Sequence, residues 1–499
     1  MSSRVVEQDV RTRKGERLAS GTVISFFSIA IARVATIATS IVIVRALGPR
    51  ELGLYYLVTL AISVGSVCAA FGVPPALVKF LAETPRDRAT EAEDLIGAGS
   101  VLTFVSTFLT TLAVALVAPI LAVALYGEPR FGALLLVALG SLAVGSALGP
   151  FLPIFQAREL IRELGMRNMA TALASVPVTV LLVILWGLEG AVWAMVVSSL
   201  LAACLNAGLL RRVWREEHLR LRLPRNRAAY RRIMSYALPA FAAALLVTPV
   251  LWLGNTLLMT HSSFADVGLY SVAFGLASYL LFIPSAVGVP FVPMVSKLHR
   301  ASPEDFPPLL LKTLRVSVFV LLPPAAILIA FPDFLLQLLY GPDFARASAL
   351  VRILAPAVFL SGVCGIVGHG IAGTGRMWHG LGLNFLWASV LLLGSLALVP
   401  SLLGLGLAAT YLAAYSILFL ASLAYLWRIW YASLRDLAGP VSIAAASMVA
   451  IYVVSSADTV PMRGPILVGM IAVTVLVELL AMSRREVEVL VSPIRKWLS

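Results

Sequence analysis

Apolar residues fall in runs of about twenty along nearly the whole chain, separated by short polar breaks. A run of that length crosses a hydrocarbon core of roughly 30 Å as an α-helix. Backbone groups that face lipid must be bonded within their own segment, so these runs predict helices and exclude open strands. Fourteen spans are expected, from the first near 20–44 and the second near 53–78 to the last near 464–482. The seventh and eighth are expected near 233–260 and 267–295 as continuous helices. The fold class is therefore all-α, an integral membrane protein of about 14 transmembrane helices.

The pattern also repeats. Glu51-Leu52-Gly53-Leu54-Tyr55 recurs as Asp266-Val267-Gly268-Leu269-Tyr270, Gly72-Val73-Pro74 as Gly288-Val289-Pro290, and Leu125-Tyr126-Gly127 as Leu339-Tyr340-Gly341. The offset stays at 214–216 and the order is kept. A first six-helix bundle is expected over 20–210 and a second over 233–427, joined by a basic linker at 211–232 with nine Arg in 22 positions. Two extra C-terminal helices occupy 428–482, and polar tails lie at 1–19 and 483–499. Six spans per copy make the repeats parallel, and pseudo-symmetric halves of this kind fit alternating access around a substrate held between them. The other reading is a repeat kept as a packing scaffold.

Composition sharpens the class. Hydrophobic residues reach 60% and charged residues 13%, against roughly 25% charged in a soluble domain. The net charge of +13 invites a nucleic-acid reading, but its distribution does not support one. With the N-terminus inside, 31 of the 38 Lys and Arg fall in cytoplasmic segments and helix ends, and 6 fall outside. That bias places both termini in the cytoplasm of a multi-pass protein of the cytoplasmic (inner) membrane. The first apolar run is about 25 residues long, beyond the usual signal-peptide core, and is expected to be retained. Cys68, Cys204 and Cys364 lie far apart in apolar runs and read as small buried residues, with no metal or disulfide spacing. There is no HExxH, GxSxG or Walker motif and no carboxylate pair within a span. The segments between spans leave no room for an extramembrane domain, so a transporter is expected rather than an enzyme, with no cofactor.

Leu47-Gly48-Pro49-Arg50-Glu51-Leu52-Gly53-Leu54-Tyr55 reads first as a tight exterior hairpin, with Gly-Pro closing one helix and an acid opening the next. Followed by the stretch Phe71 to Phe80, it resembles the opening of the polysaccharide-transport, or Wzx-type, flippases of the multidrug/oligosaccharidyl-lipid/polysaccharide exporter superfamily. The resemblance continues through Tyr340-Gly341-Pro342-Asp343-Phe344 and Gly373-Thr374-Gly375-Arg376 and covers most of residues 20–430. It implies a V-shaped pair of six-helix bundles that moves a polyprenyl-pyrophosphate-linked glycan from the inner to the outer leaflet. Polysaccharide polymerases and glycosyltransferases would be partners in the same assembly. Two rival cargoes stay open: a lipid II-type precursor, or drugs exported by a cation-coupled member of the superfamily. The drug reading would want buried carboxylates, and the first six spans offer none at mid-membrane.

Arg33 is the informative charge. A lipid-facing arginine in mid-span costs at least about 2.5–3.5 kcal/mol, so Arg33 is expected to face the bundle interior. Thr36 and Ser40 follow at helical spacing on the same face. The three suit a water-filled cavity that receives an anionic headgroup, and family members similarly carry a first-helix arginine there. The alternative is an arginine satisfied by helix carbonyls or a buried carboxylate. Lys79 and Lys297 close the second and eighth spans at matching positions; they either gather a pyrophosphate at an inward-facing mouth or snorkel to lipid headgroups. Arg352 either lines the outer half of the path or flanks the interface. Glu478 and His369 are candidates for proton coupling, with a local ion pair and a structural histidine as the alternatives.

Overall fold

The protein is described by a computed structural model that covers residues 2–85, 88–147, 149–158, 160–216, 224, 227–430, 435–456 and 463–481. Every regular element among the described residues is helical. Ten segments are long and apolar enough to cross a membrane, and a shorter apolar helix follows at Gly464–Val477.

Three of those ten are helical hairpins bent at one residue. α1 (Ser2–Ala70) turns at Gly48, with φ 69° and ψ 174°, and Pro49 opens its second arm. Glycine tolerates the positive φ, and proline gives up an N–H that a helix start leaves unbonded anyway. α6 (Ile161–Glu216) turns at Gly187, with φ 54° and ψ −124°. α14 (Met377–Trp430) turns at Leu403, with φ 52° and ψ −129°. Each bent helix supplies two spans, which brings the described residues to the fourteen expected.

The last two turns extend the internal repeat into backbone geometry. Gly187 and Leu403 stand 216 positions apart and share one conformation. Three residues on, Gly190 lies against the carbonyl of Leu182 and Gly406 against that of Leu398, again 216 apart. A Cβ at either glycine would overlap that oxygen.

The second, seventh and eighth spans depart from the continuous helices expected. The second ends at Ala70, passes through Phe71 (φ 47°) and Gly72 (φ 68°), and restarts as α2 (Val73–Glu83). The seventh is α7 (Arg227–Leu245) and α8 (Thr248–His261), separated by a turn at 246–247. The eighth is α9 (Phe264–Ser278), a tighter turn at Tyr279–Leu281, and α10 (Phe282–Ala301). The physical reason is shared. Pro74 and Pro75, Pro249 and Pro284 each lack the amide hydrogen, and each ring would strike the carbonyl four residues back. The hydropathy runs straight through all three breaks.

By packing, the chain divides into two compact units after Trp252. In the first, α1 packs along α6, α3 (Ala89–Ile120) and α4 (Pro129–Ala147). α7 packs in this unit as well, on α1, α2 and α3. Leu77, Phe80, Leu95, Ile96, Ile233 and Ala237 form part of the buried cluster that joins α2, α3 and α7. Gly72 permits the approach, because a Cβ there would overlap the carbonyl of Ala237. In the second unit α13 (Ser348–Gly373) is central, packed by α9, α10, α11 (Phe306–Ala330) and α14. Of the two C-terminal helices, α15 (Arg435–Ser456) lies on α11, and α16 (Arg463–Ala481) lies on α15 and α11. Lipid tails are as apolar as leucine, so close contact of small residues holds such helices together rather than hydrophobic burial. Gly362 against Leu321 and Pro284 is one example.

Candidate functional site

Arg33 lies in the first arm of α1 with its side chain exposed. It has no hydrogen bond or ion pair to another described residue. Neither alternative partner, a helix carbonyl or a buried carboxylate, is found among the described residues. One turn on, Thr36 is also exposed and donates its hydroxyl to the Ala32 carbonyl at 2.9 Å, which leaves its oxygen lone pairs free. Ser40, a further turn on, is half-buried. The helix thus holds a cation and two hydroxyls on one stripe.

Lys79 is engaged rather than free. Its Nζ sits 4.8 Å from the centre of the Tyr236 ring and 5.5 Å from that of Phe80. Arg232 also covers Phe80, with Cζ 4.8 Å from the ring centre. Its guanidinium donates to Glu91 at 2.6 Å and to Glu83 at 3.5 Å. Two cations, two carboxylates and two aromatic rings therefore clasp α7 to the ends of α2 and α3. Sequence reasoning placed Arg232 at the end of a basic linker and missed this role. The available signal was the pair Glu83 and Glu91, which flank a short loop and need cations. Lys297 lies in α10 and Glu478 in α16, but both side chains fall outside the described residues.

A second missed cluster ties three turns of the first unit. Arg130 reaches Glu51 at 3.3 Å and Glu189 at 3.4 Å, and Arg50 reaches Glu128 at 3.1 Å. Arg130 is 49% exposed and Arg50 73%, so water screens these pairs and each contributes little to stability.

In the second unit an apolar groove of about 790 Å³ runs between α11, α13, the second arm of α14, and α15. Phe359, Val363, Ala444 and Met448 are buried in its floor, whereas Leu420, Val449 and Tyr452 are exposed at its rim. Its polar members are Arg352, Ser416 and Tyr452. Arg352 donates through Nη2 to Asp333 of α12 (Pro332–Tyr340) at 2.9 Å. Its side chain is only 15% exposed and its Nε has no partner among the described residues. His369 is half-buried further along α13. Cys364 is buried as expected, but Cys204 is exposed. Among the described residues no three His, Cys, Asp or Glu gather where they could hold a metal ion.

Residues 42–349 match the sequence profile described as Polysaccharide biosynthesis protein. The chain belongs to that family. Among solved structures, the lipid II flippase MurJ in an inward closed conformation shares the fold, with a TM-score of 0.70 at 11% identity. That match covers 95% of this chain and 99% of MurJ. The Vibrio cholerae MATE transporter VcmN in its bent form matches at TM-score 0.58 and 16% identity, over 82% of this chain and 97% of that one. A MOP superfamily transporter from Pyrococcus furiosus matches at 0.60 and 14%, over 81% and 95%. No curated protein sequence matches the chain. The all-helical fold of this polysaccharide biosynthesis protein is thus shared with flippases and transporters.

Proposed function

We propose that this member of the polysaccharide biosynthesis family is a flippase that carries a polyprenyl-pyrophosphate-linked oligosaccharide from the inner to the outer leaflet of the cytoplasmic membrane. The observation that carries the reading is Arg33, exposed in the middle of an apolar span and unpaired among the described residues. Facing lipid, that charge would cost several kcal/mol; facing a water-filled path, it attracts an anion. Thr36 and Ser40 extend the polar stripe for the headgroup. The glycan travels in water and the polyprenyl tail stays in the apolar phase. Lysine and arginine bias along the chain supports termini in the cytoplasm. A headgroup with two negative charges leaving an inside-negative cell gains roughly 4.6 kcal/mol at 100 mV. Such a carrier needs no proton-binding carboxylate, and His369 and Glu478 have no required role.

A second reading, a lipid II-type precursor as cargo, is favoured by the extent of the MurJ match, which at 95% of this chain takes in most of the C-terminal part as well. Mass spectrometry of lipid-linked glycans in cells with and without the protein separates the two, with an impermeant label scoring the leaflet. Build-up of an inner-leaflet polyprenyl-pyrophosphate oligosaccharide on loss of the protein supports the first reading. A lipid bearing a peptide stem supports the second, and no build-up at all removes both.

A further inference from the structure

We propose that the break in the second span is a switch worked by α7. With α7 docked, the span turns at Phe71–Gly72 and restarts as α2. With α7 released, it runs on as one helix and swings the cytoplasmic end of α2. The switch stands on the packing of the first unit alone, whereas its use in transport rests on the reading of the protein as a flippase.

Two copies of one sequence adopt different backbones here. Gly72-Val73-Pro74 and Gly288-Val289-Pro290 hold matching places in the repeat. In the first copy Phe71 and Gly72 are both left-handed, with φ 47° and 68°. In the second copy the same triplet lies inside α10, which is helical from Phe282 to Ala301. Pro290 thus stands within a continuing helix, so Pro74 permits the break without imposing it. A helix is within reach of this sequence. The broken form is the one that needs support, because a bulky side chain at positive φ is strained.

α7 supplies that support. Gly72 lies against the carbonyl of Ala237, with no room for a Cβ. One helical turn on, the ring of Phe241 meets that of Phe71 with centres 4.6 Å apart. A continuous helix through 71–72 points both residues elsewhere and gives up both contacts. Towards the other end of α2, Arg232 pairs with Glu83 and Glu91, but these pairs are half-exposed and contribute little. Strain at Phe71 therefore opposes a docking held mainly by apolar contact, the kind of balance that a two-state element needs. Release of α7 opens the seam closed by Leu77, Phe80, Ile233 and Ala237. The Lys and Arg distribution puts that seam on the cytoplasmic side, where the cargo enters.

The test uses the full chain in nanodiscs, with Cys68, Cys204 and Cys364 replaced by alanine. Spin labels go on Ser66 and Ala82, exposed residues on either side of the break. In one continuous helix their Cα atoms stand about 24 Å apart, and a turned chain brings them closer. Double electron–electron resonance is expected to find mostly the shorter distance. Gly72→Ala, whose methyl has no room against Ala237, shifts most of the population to the helical distance. Arg232→Ala raises that population up to about fivefold. Adding Phe71→Gly to Arg232→Ala restores the shorter distance, because glycine takes positive φ freely and is a poor helix residue. In proteoliposomes Phe71→Gly alone slows flipping about tenfold while it raises the unfolding temperature, a combination that a fixed break does not produce. Thermal unfolding identifies a misfolded variant, and if Gly72→Ala does not fold, Arg232→Ala with and without Phe71→Gly decides. The shorter distance alone in the folded variants overturns the switch. A stabilised Phe71→Gly protein that flips lipid at the wild-type rate overturns its use in transport. The distances are read without cargo, so they can hold while the glycan-accumulation experiment fails, and the reverse.

Discussion

A single mid-span charge carries the functional reading, and its replacement should show it. Arg33→Ala is expected to slow flipping in proteoliposomes by at least about tenfold, the cost of one charge-assisted hydrogen bond or more. Arg33→Lys should keep part of the activity, since the charge remains but the planar fork is lost. Wild-type rates from the alanine protein would remove Arg33 from the path. Leu403 invites the opposite experiment. It holds a conformation that its counterpart Gly187 adopts without a side chain, and a non-glycine residue there costs of order 1–3 kcal/mol. Leu403→Gly is therefore expected to raise the unfolding temperature of the detergent-solubilised protein, and a fall would show that the turn is not strained. Arg33 was legible from sequence because a charge within an apolar run needs no further context. Leu403 was not, since hydropathy carries no information about φ. Lys79 lies within α2, beyond the break in the second span, and its partner Tyr236 is 157 positions away, so no local pattern links them.

At the scale of elements, the three breaks were written in the chain as prolines, yet they could not be read from prolines alone. Pro177 and Pro356 sit inside α6 and α13, which continue past them. The break at Phe71–Gly72 is held by what packs on it, namely α7. Two substitutions at this contact should differ in size. Gly72→Ala forces a Cβ onto the backbone of Ala237 and fills a positive-φ position, costing about 1–3 kcal/mol for overpacking and about 1–2 kcal/mol for the backbone. Arg232→Ala removes a half-exposed pair with Glu91, about 0–1 kcal/mol, together with its cover over Phe80. Thermal unfolding should rank Gly72→Ala as the more damaging, and the reverse order would mean that charge rather than close approach docks α7.

For the whole molecule, the class, the fourteen spans and the two-fold repeat could be read from twenty-residue runs and three short matches. The basic linker at 211–232 marks the expected join between the six-span copies, and by packing the seventh span's α7 belongs with the first compact unit, which runs to Trp252. Transport driven by the membrane potential is a prediction at this scale. Imposing an inside-negative potential across proteoliposomes should drive a doubly charged lipid outward, with about 4.6 kcal/mol available per 100 mV. A rate indifferent to potential would require a coupling ion. The docking of α7 also bears on how the protein is made. The cluster of Leu77, Phe80, Ile233 and Ala237 joins the second span to a helix synthesised after the sixth. At about 5–20 residues per second, the ribosome needs on the order of 10–30 s to travel from Glu83 to Leu245. Over that interval the nascent bundle shows an open seam to lipid and to its neighbours. A chain halted at Glu216 would never close it, so the pace of translation sets how long each new copy is vulnerable to quality-control proteases.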